Sequence, residues 1–220
     1  MLGSGAGSQP IGESVRGETI KARMSGDPAS ERAVLVVGSI HGDETQGERV
    51  VARLRRRVGA RLDGVALWTI ETVNPDGVAA GTRGNSHGVD LNRNFAWNWR
   101  AIPPSSGYYS GPGPVSEPET RALRGFLRRV RPEITIYYHQ PFGNTLIPCD
   151  RRGRNVALRY ARLSGLPPDD CFPSPPGSAT GYQGHRLKQR AFVVELGPGA
   201  ISDAEVRRHA RAVAKVAEPG

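Results

Sequence analysis

An α/β domain, with helices on both faces of a central sheet, is what the order of apolar patterns in this chain of 220 residues predicts. Three observations carry the prediction. Short β-branched or apolar runs of strand length recur at Ala33 to Gly38, Ile134 to His139 and Phe192 to Glu195. Segments with apolar residues at helical spacing lie between and after them, and Gly, Pro, Asn and Asp cluster at the joints. No internal repeat interrupts the pattern, and the length supplies one domain with a substantial core. A flexible tail is expected over 1–10, where Met1-Leu2-Gly3-Ser4-Gly5-Ala6-Gly7 carries no periodicity, and one domain over 11–220.

In chain order, the strand from Ala33 to Gly38 leads through a tight turn into a helix around Thr45 to Val58, with Val50, Val51, Leu54 and Val58 on its apolar face. A strand at Val65 to Val73 completes a β-α-β opening. Asn74 to Pro114 is rich in Gly, Asn and Pro, and so long a loop inside a compact domain points to function. Ser116 and Glu119 have the spacing of a capping box for a helix to about Val130, which buries Leu123, Phe126, Leu127 and Val130. After the strand ending at His139, a helix near Asn155 to Ser164 stops at Gly165, and Pro167-Pro168 prevent its continuation. The Pro/Gly-rich stretch Phe172 to Gly184 precedes the Glu195 strand. Ser202 and Glu205 form a second capping box, on a terminal helix with Val206, Ala210, Val213 and Val216.

Each of the three strand runs stops at, or a short turn before, a residue able to bind metal or move a proton. In open α/β sheets ligands bind outside the carboxyl ends of the strands, so residues far apart in sequence meet in one crevice. His41 and Glu44, three apart, are expected on one face of a first helical turn, with Gly42 letting the backbone approach a metal ion. A catalytic zinc keeps three protein ligands and one open position, and His139 is the candidate third ligand. Taken alone, His-x-x-Glu is an ordinary helix start with an acidic first turn; the strand before it and His139 at another strand end change that reading. Glu195, in apolar surroundings that raise a carboxyl's pKa, is the candidate general base.

The loop Asn74-Pro75-Asp76-Gly77, Gly81-Thr82-Arg83 and Gly88-Val89-Asp90-Leu91-Asn92-Arg93-Asn94-Phe95 offers two guanidinium groups and an amide. One arginine can grip a carboxylate bidentately, and the other can stabilise an oxyanion developing at a carbonyl. The bland alternative is a Gly/Asn-rich loop with solvated arginines. His87, in the same loop, is the remaining histidine placed to touch substrate; His185 and His209 read as loop or surface residues.

His41-Gly-Asp-Glu44, Asn74-Pro-Asp-Gly77, Gly88 to Phe95, His139 and Glu195, in this order, resemble the zinc carboxypeptidase family, from about Ile11 to the last helix. Tyr108-Tyr109-Ser110-Gly111-Pro112 and Ser116-Glu117-Pro118-Glu119-Thr120 are similar to its short bacterial murein peptide amidases, the gamma-D-glutamyl-meso-diaminopimelate peptidases. The resemblance implies a three-layer α/β/α domain whose sheet is mixed. It implies one zinc per chain on His41, Glu44 and His139, with Glu195 as general base and acid. Arg83 would polarise the scissile carbonyl, and Asn92 and Arg93 would hold a terminal carboxylate. A tyrosine that the family's digestive branch carries before the catalytic glutamate has no aligned counterpart here, Tyr182 included. The expected function is a zinc metallocarboxypeptidase acting on a small peptide such as a cell-wall muropeptide. The alternatives are a zinc acylase of the desuccinylase and aspartoacylase type and a non-catalytic peptide-binding relative.

The formal net charge is +9, and the only lysines are Lys21, Lys188 and Lys215. Arg53, Arg55, Arg56 and Arg57 on one helix and Arg124, Arg128, Arg129 and Arg131 on another read as solvated faces, since no aromatic interleaving accompanies them; no nucleic-acid partner is expected. No segment approaches a membrane span of about 20 apolar residues and no signal-peptide pattern opens the chain, so a cytoplasmic enzyme is expected. For Cys149 and Cys171 the corresponding default is free or buried thiols, with a disulfide across the segment beyond His139 as the alternative.

Overall fold

The computed structural model describes residues 7–58, 62, 64–149 and 151–218; for 57, 58 and 151 it describes the backbone alone. One mixed sheet of eight strands runs in the order β1-β2-β4-β3-β5-β8-β6-β7. The strands are β1 (Ser8–Glu13), β2 (Thr19–Gly26), β3 (Ala33–Ser39), β4 (Ala66–Thr72), β5 (Ile134–His139), β6 (Asn144–Pro148), β7 (Pro168–Phe172) and β8 (Arg190–Glu195). The helices are α1 (Gln46–Val58), α2 (Pro75–Ala80), α3 (Pro118–Val130), α4 (Arg151–Ser164), α5 (Ala179–Gly181) and α6 (Asp203–Ala217). β4, β3, β5 and β8 are parallel, and antiparallel pairings join β2 and β6 to this centre. β3 and β5 are buried along their whole length, which is why they read as unbroken apolar runs.

The period-two alternation of strand side chains divides the core into two layers. Val34, Val36, Ile136, Tyr138 and Val194 face α1, α4 and α6, while Leu35, Val37 and Tyr137 face α3 and the segment around Tyr182. β3 sits between β4 and β5, so the strand order reverses there, and an open α/β sheet leaves a crevice at the carboxyl end of such a strand.

Several expectations change. Ser8 to Pro10 belong to β1 and not to the tail expected over 1–10; residues 1–6 lie outside the described residues, as do the side chains of Arg57 and Val58. β1 and β2 escaped the sequence reading because exposed positions interrupt both strands, although Ile20, Ala22 and Met24 of β2 alternate into the core. The α6 capping box forms, but that of α3 does not. Ser116 Oγ instead bonds Glu117 Oε1 (2.6 Å) and accepts from Asn94 Nδ2, and Glu119 Oε1 accepts from Val15 N at 3.0 Å. His209, expected at the surface, is 1% exposed, because its spacing from Val206 and Val213 places it on the buried stripe of α6. Cys149 and Cys171 form a disulfide, not the thiols taken as the default, and it ties β7 to the residue after β6. Closing that loop, with a sequence separation of 22, restricts the unfolded chain by on the order of 3 kcal/mol.

Candidate metal centre and its cleft

His41 and Glu44 lie in the turn between β3 and α1, with Glu44 N donating to His41 O at 3.3 Å. The helix begins only at Gln46, so this turn, and not a first helical turn, presents both side chains. His41 Nδ1 lies 2.9 Å from Glu44 Oε1. Gly42 serves packing more than access to an ion: a Cβ there would collide with the backbone of Gly77 in α2. The turn therefore rests on the Asn74-Pro-Asp-Gly77 motif, itself fixed by Gly77 N donating to Asn74 Oδ1 at 2.9 Å.

His139 closes β5, in register with Glu195 of the neighbouring β8. Its Nδ1 is 2.8 Å from Glu44 Oε2 and 3.2 Å from His41 Nδ1. Ligand atoms of His41, Glu44 and His139 all fall within 4.8 Å of one another. His41 Nε2 lies 3.0 Å from Asp90 Oδ1; a hydrogen bond to this carboxylate protonates Nε2 and leaves the Nδ1 lone pair pointing at Glu44. Two imidazole nitrogens and one carboxylate, one ring oriented by a second carboxylate, suit zinc by donor chemistry.

Asp90, assigned no role from the sequence, is the junction of the site. It also accepts from Arg83 Nε at 3.0 Å and from Asn92 N at 2.8 Å. Burial pushes its carboxyl upward, but His41 and Arg83 overcome this and hold it well below the usual carboxylate range. Glu44 is held low in the same way by His139 and His41. Burial lowers His139, whereas in His41 the pull of burial is outweighed by Asp90 and Glu44, which raise it. Gln140 was also missed. Its Oε1 accepts from Gln46 N at 3.2 Å and its Nε2 donates to Gly197 O and Gly199 O, both at 2.9 Å, tying together the turns that follow β3, β5 and β8.

Glu195 is 7% exposed, and its Oε2 has no hydrogen-bond partner. Burial first, and the Glu44 carboxylate second, push its carboxyl up to about 7. His41, Glu44, Arg83, Asn92, Arg93, His139 and Glu195, all seven residues singled out in the sequence, line one cleft of about 1010 Å³.

Arg83 reaches Glu44 Oε1 at 3.0 Å as well as Asp90, so it is held beside the three ligands. Asn92 Oδ1 accepts from Ala179 N at 3.0 Å, which brings α5 against the arginine loop. Burial, opposed by Asp90 and reinforced by the nearby charge of Arg83, pulls the Arg93 guanidinium below its ordinary value; an arriving carboxylate would relieve that repulsion. Tyr108 carries Arg83 and Arg93 against its ring, 5.0 and 5.3 Å from the centroid. The sequence used Tyr108 only for resemblance, and its place over both arginines needed the fold to appear. Tyr182 lies outside the cleft lining and packs on Phe95, ring centroids 5.7 Å apart. His87 pairs with Glu117 (2.7 Å) and His185 stacks on Trp97 (4.2 Å), away from the ligands.

A family profile described as zinc carboxypeptidase matches residues 7–153. The chain belongs to the zinc carboxypeptidase family. Among curated relatives, murein peptide amidase A of Escherichia coli (strain K12) is 33% identical over 125 residues, an alignment covering 51% of this chain and 51% of the relative. The chain thus aligns with about half the length of that relative. Carboxypeptidase SOL1 of Arabidopsis thaliana is 30% identical over 135 residues, 55% of this chain and 26% of the relative. The crystal structure of murein-tripeptide amidase MpaA from Escherichia coli O157 matches with a TM-score of 0.79 at 26% identity, covering 100% of this chain and 94% of that one. Carboxypeptidase A from Helicoverpa armigera shares the fold, with a TM-score of 0.76 at 17% identity over 96% of this chain and 68% of that one.

Proposed function

We propose that the chain is a zinc-dependent metallocarboxypeptidase that hydrolyses a peptide or amide bond near the carboxyl end of a small peptide, with gamma-D-glutamyl-meso-diaminopimelate in murein peptides as its substrate class. The observation that carries the reading is the convergence of His41, Glu44 and His139 on one point, beside a buried Glu195 whose Oε2 is free to take a proton. The names of the amidase relatives support the murein side. The complete set of ligands and base argues against a binding module that has lost its chemistry.

His41 and His139 through Nδ1, and Glu44 through its carboxylate, would hold one zinc per chain. Zinc, when bound, supplies Lewis-acid polarisation and lowers the pKa of water to about 7. Glu195 takes the proton of the attacking water at its unpartnered Oε2 and returns it to the leaving amine. Arg83, oriented by Asp90, offers N–H groups to the oxyanion that develops on the scissile carbonyl. Arg93, with the Asn92 amide beside it, holds the terminal carboxylate; a planar fork fits that group where a lysine would not.

The test compares kcat/KM of the zinc-loaded protein on L-Ala-gamma-D-Glu-meso-diaminopimelate, on its terminal amide and on an apolar-ended dipeptide. The tripeptide is expected to be preferred and the amide to be cleaved poorly. Preference for the apolar peptide would sink the murein assignment, and indifference to amidation would remove the Arg93 clamp. A cytoplasmic setting belongs to the same proposal and makes its own demand. Reductants there would open Cys149–Cys171, so thiol trapping of the protein in fractionated cells tests the setting directly. Among the described residues no helix is long and apolar enough to cross a membrane.

A further inference from the structure

The loop that carries Arg83, Asn92 and Arg93 is pinned from the side away from the cleft, by buried carboxylates. Asn85 makes the connection. Its Nδ2 donates to Glu117 Oε2 at 2.8 Å and to Glu119 Oε2 at 3.0 Å, and its Oδ1 accepts from His87 N and Val89 N, both at 3.1 Å. Asn85, Glu117 and Glu119 are all buried and lie outside the cleft lining. Burial pushes the Glu117 carboxyl up, but bonds from Ser116, Asn85 and His87 outweigh it and hold it below its ordinary value. One amide thus serves two buried carboxylates, and buried carboxylates this close need a donor between them.

The frame extends to the turn between β1 and β2. Glu119 Oε1 accepts from Val15 N at 3.0 Å, and Asp76 of α2 accepts from Ser14 Oγ at 2.8 Å and Arg16 N at 3.0 Å. Arg16 Nε donates to Ser86 Oγ at 2.7 Å. Carboxylates before and after the arginine loop therefore grip the same turn.

The two arginines depend on this frame unequally. On the cleft side Arg83 is paired with both Glu44 and Asp90. Arg93 donates to Asn92 O at 2.8 Å and lies against the Tyr108 ring, and has no ion pair among the described residues. Its position comes from the backbone. Arg93 N donates to Asp90 O at 2.9 Å, and the chain enters Asp90 from Val89, whose N–H and C=O both bond Asn85. Resting on the proposed carboxypeptidase reading, we infer that Asn85 is a positioning residue for Arg93. Through its bridge to Glu117 and Glu119 it fixes where the guanidinium meets the terminal carboxylate of a peptide, without touching substrate or metal.

Asn85→Asp keeps the shape and the acceptor for Val89 N but sets a third carboxylate against Glu117 and Glu119. With the zinc-loaded protein, KM for L-Ala-gamma-D-Glu-meso-diaminopimelate should rise about tenfold, between the loss of one hydrogen bond and the ~10²-fold that an ångström of misplacement can cost. kcat and zinc content should stay near the parent's. The terminal amide of the tripeptide does not use the Arg93 clamp, so its kcat/KM should hardly change and the preference for the free carboxylate should shrink. Adding Asn85→Asp to an Arg93→Ala protein should cost nothing further, since the two act as a unit. Glu119→Gln keeps an acceptor for Val15 N but turns an amide toward Asn85; it should shift the same preference more weakly, and it carries the test if Asn85→Asp does not fold. An unchanged preference in folded Asn85→Asp overturns the inference, as does a further loss in the Arg93→Ala background or a loss of zinc. If the parent cleaves tripeptide and amide alike, or neither, the Arg93 clamp or the carboxypeptidase reading fails instead. Hydrogen exchange then decides the role of Asn85: the amides of Val89 to Asn94 should exchange faster in Asn85→Asp with those of β3 and β5 unchanged, and equal exchange overturns it.

Discussion

The carboxyl ends of β3, β5 and β8 and the wall formed by β6 and β7 border the same cleft, yet they are built by opposite rules. At the strand ends every candidate ligand and the base are buried, and the ligands are held by partners from other elements: His41 by Asp90, His139 by Glu44, the surrounding turns by Gln140. All five residues of β7 are exposed, its pairing with β6 slips register between Thr145 and Ile147, and a disulfide anchors it. Chemistry at the strand ends needs fixed atoms in a dry setting. Recognition at the outer wall needs groups that face water until a substrate replaces it.

The sharpest way to break this division is to remove the base alone. Glu195→Gln keeps the shape and the neighbouring ligands but cannot accept a proton. Turnover should fall by about 10²–10⁴-fold, the usual span for a general base, while zinc content and substrate binding stay near the parent's. Metal analysis with single-turnover kinetics reads both; a variant with near-normal kcat would take Glu195 out of the mechanism.

What the sequence disclosed follows the same division. His41, Glu44, His139 and Glu195 were legible because burial on both faces makes their strands continuous apolar runs that stop at polar residues. Arg83, Asn92 and Arg93 were found only through a motif, since nothing in a Gly/Asn-rich loop separates a binding arginine from a solvated one. Asp90 was hidden for a different reason: an aspartate in a loop declares no partner until the fold carries it beside a histidine 49 positions away. β7 was invisible, because Pro168-Asp-Asp-Cys-Phe172 has neither alternation nor an apolar run, and its place in the sheet depends on β6 and the disulfide.

A second test reads the layer directly behind the strand ends. Tyr138, the neighbour of His139, shares a buried chain with Tyr160 (2.8 Å) and His209, whose Nδ1 is 2.6 Å from the Tyr160 hydroxyl. Burial, with Arg208 adding to it, lowers His209 to about 4. The unfolded chain takes up the proton near pH 6.5, before the folded one does. The stability of this neutral histidine is therefore complete above about 6.5 and is lost as pH falls toward 4, by on the order of 3 kcal/mol. Urea midpoints of the metal-free protein between pH 7 and 4 should show that loss. His209→Gln should flatten the dependence by the corresponding amount; an unchanged slope would place the acid sensitivity elsewhere.

Asp90→Asn probes the connection between ligand and arginine. The amide can no longer stabilise His41 Nε2–H and Arg83 together, and outer partners of metal ligands are typically worth about 10–100-fold in metal affinity or activity. Zinc affinity measured by competition with a chelator should weaken within that range. Oxyanion stabilisation should suffer too, so kcat is expected to remain depressed even at saturating zinc. Full recovery of kcat on adding zinc would confine Asp90 to the metal and leave Arg83 positioned by Glu44 alone.

The smallest effect on the chemistry is expected from the outer wall, and it tests whether the two regions are separable at all. In a Cys149→Ser/Cys171→Ser protein β7 keeps its short pairing with β6 but loses its covalent anchor. Exposed edge segments of this kind open locally at little cost. Asp169, which lines the cleft, stands two residues before Cys171 on the same strand, so its carboxylate would lose definition while His41, Glu44, His139 and Glu195 stay buried in the sheet centre. KM for the peptide substrate should rise about two- to fivefold, the scale of one exposed polar contact, with kcat and zinc content unchanged. Chemical reduction of the parent protein should reproduce that pattern. If kcat or zinc content fell together with KM, the wall would be part of the frame that holds the ligands, and the separation of chemistry from recognition across this cleft would fail.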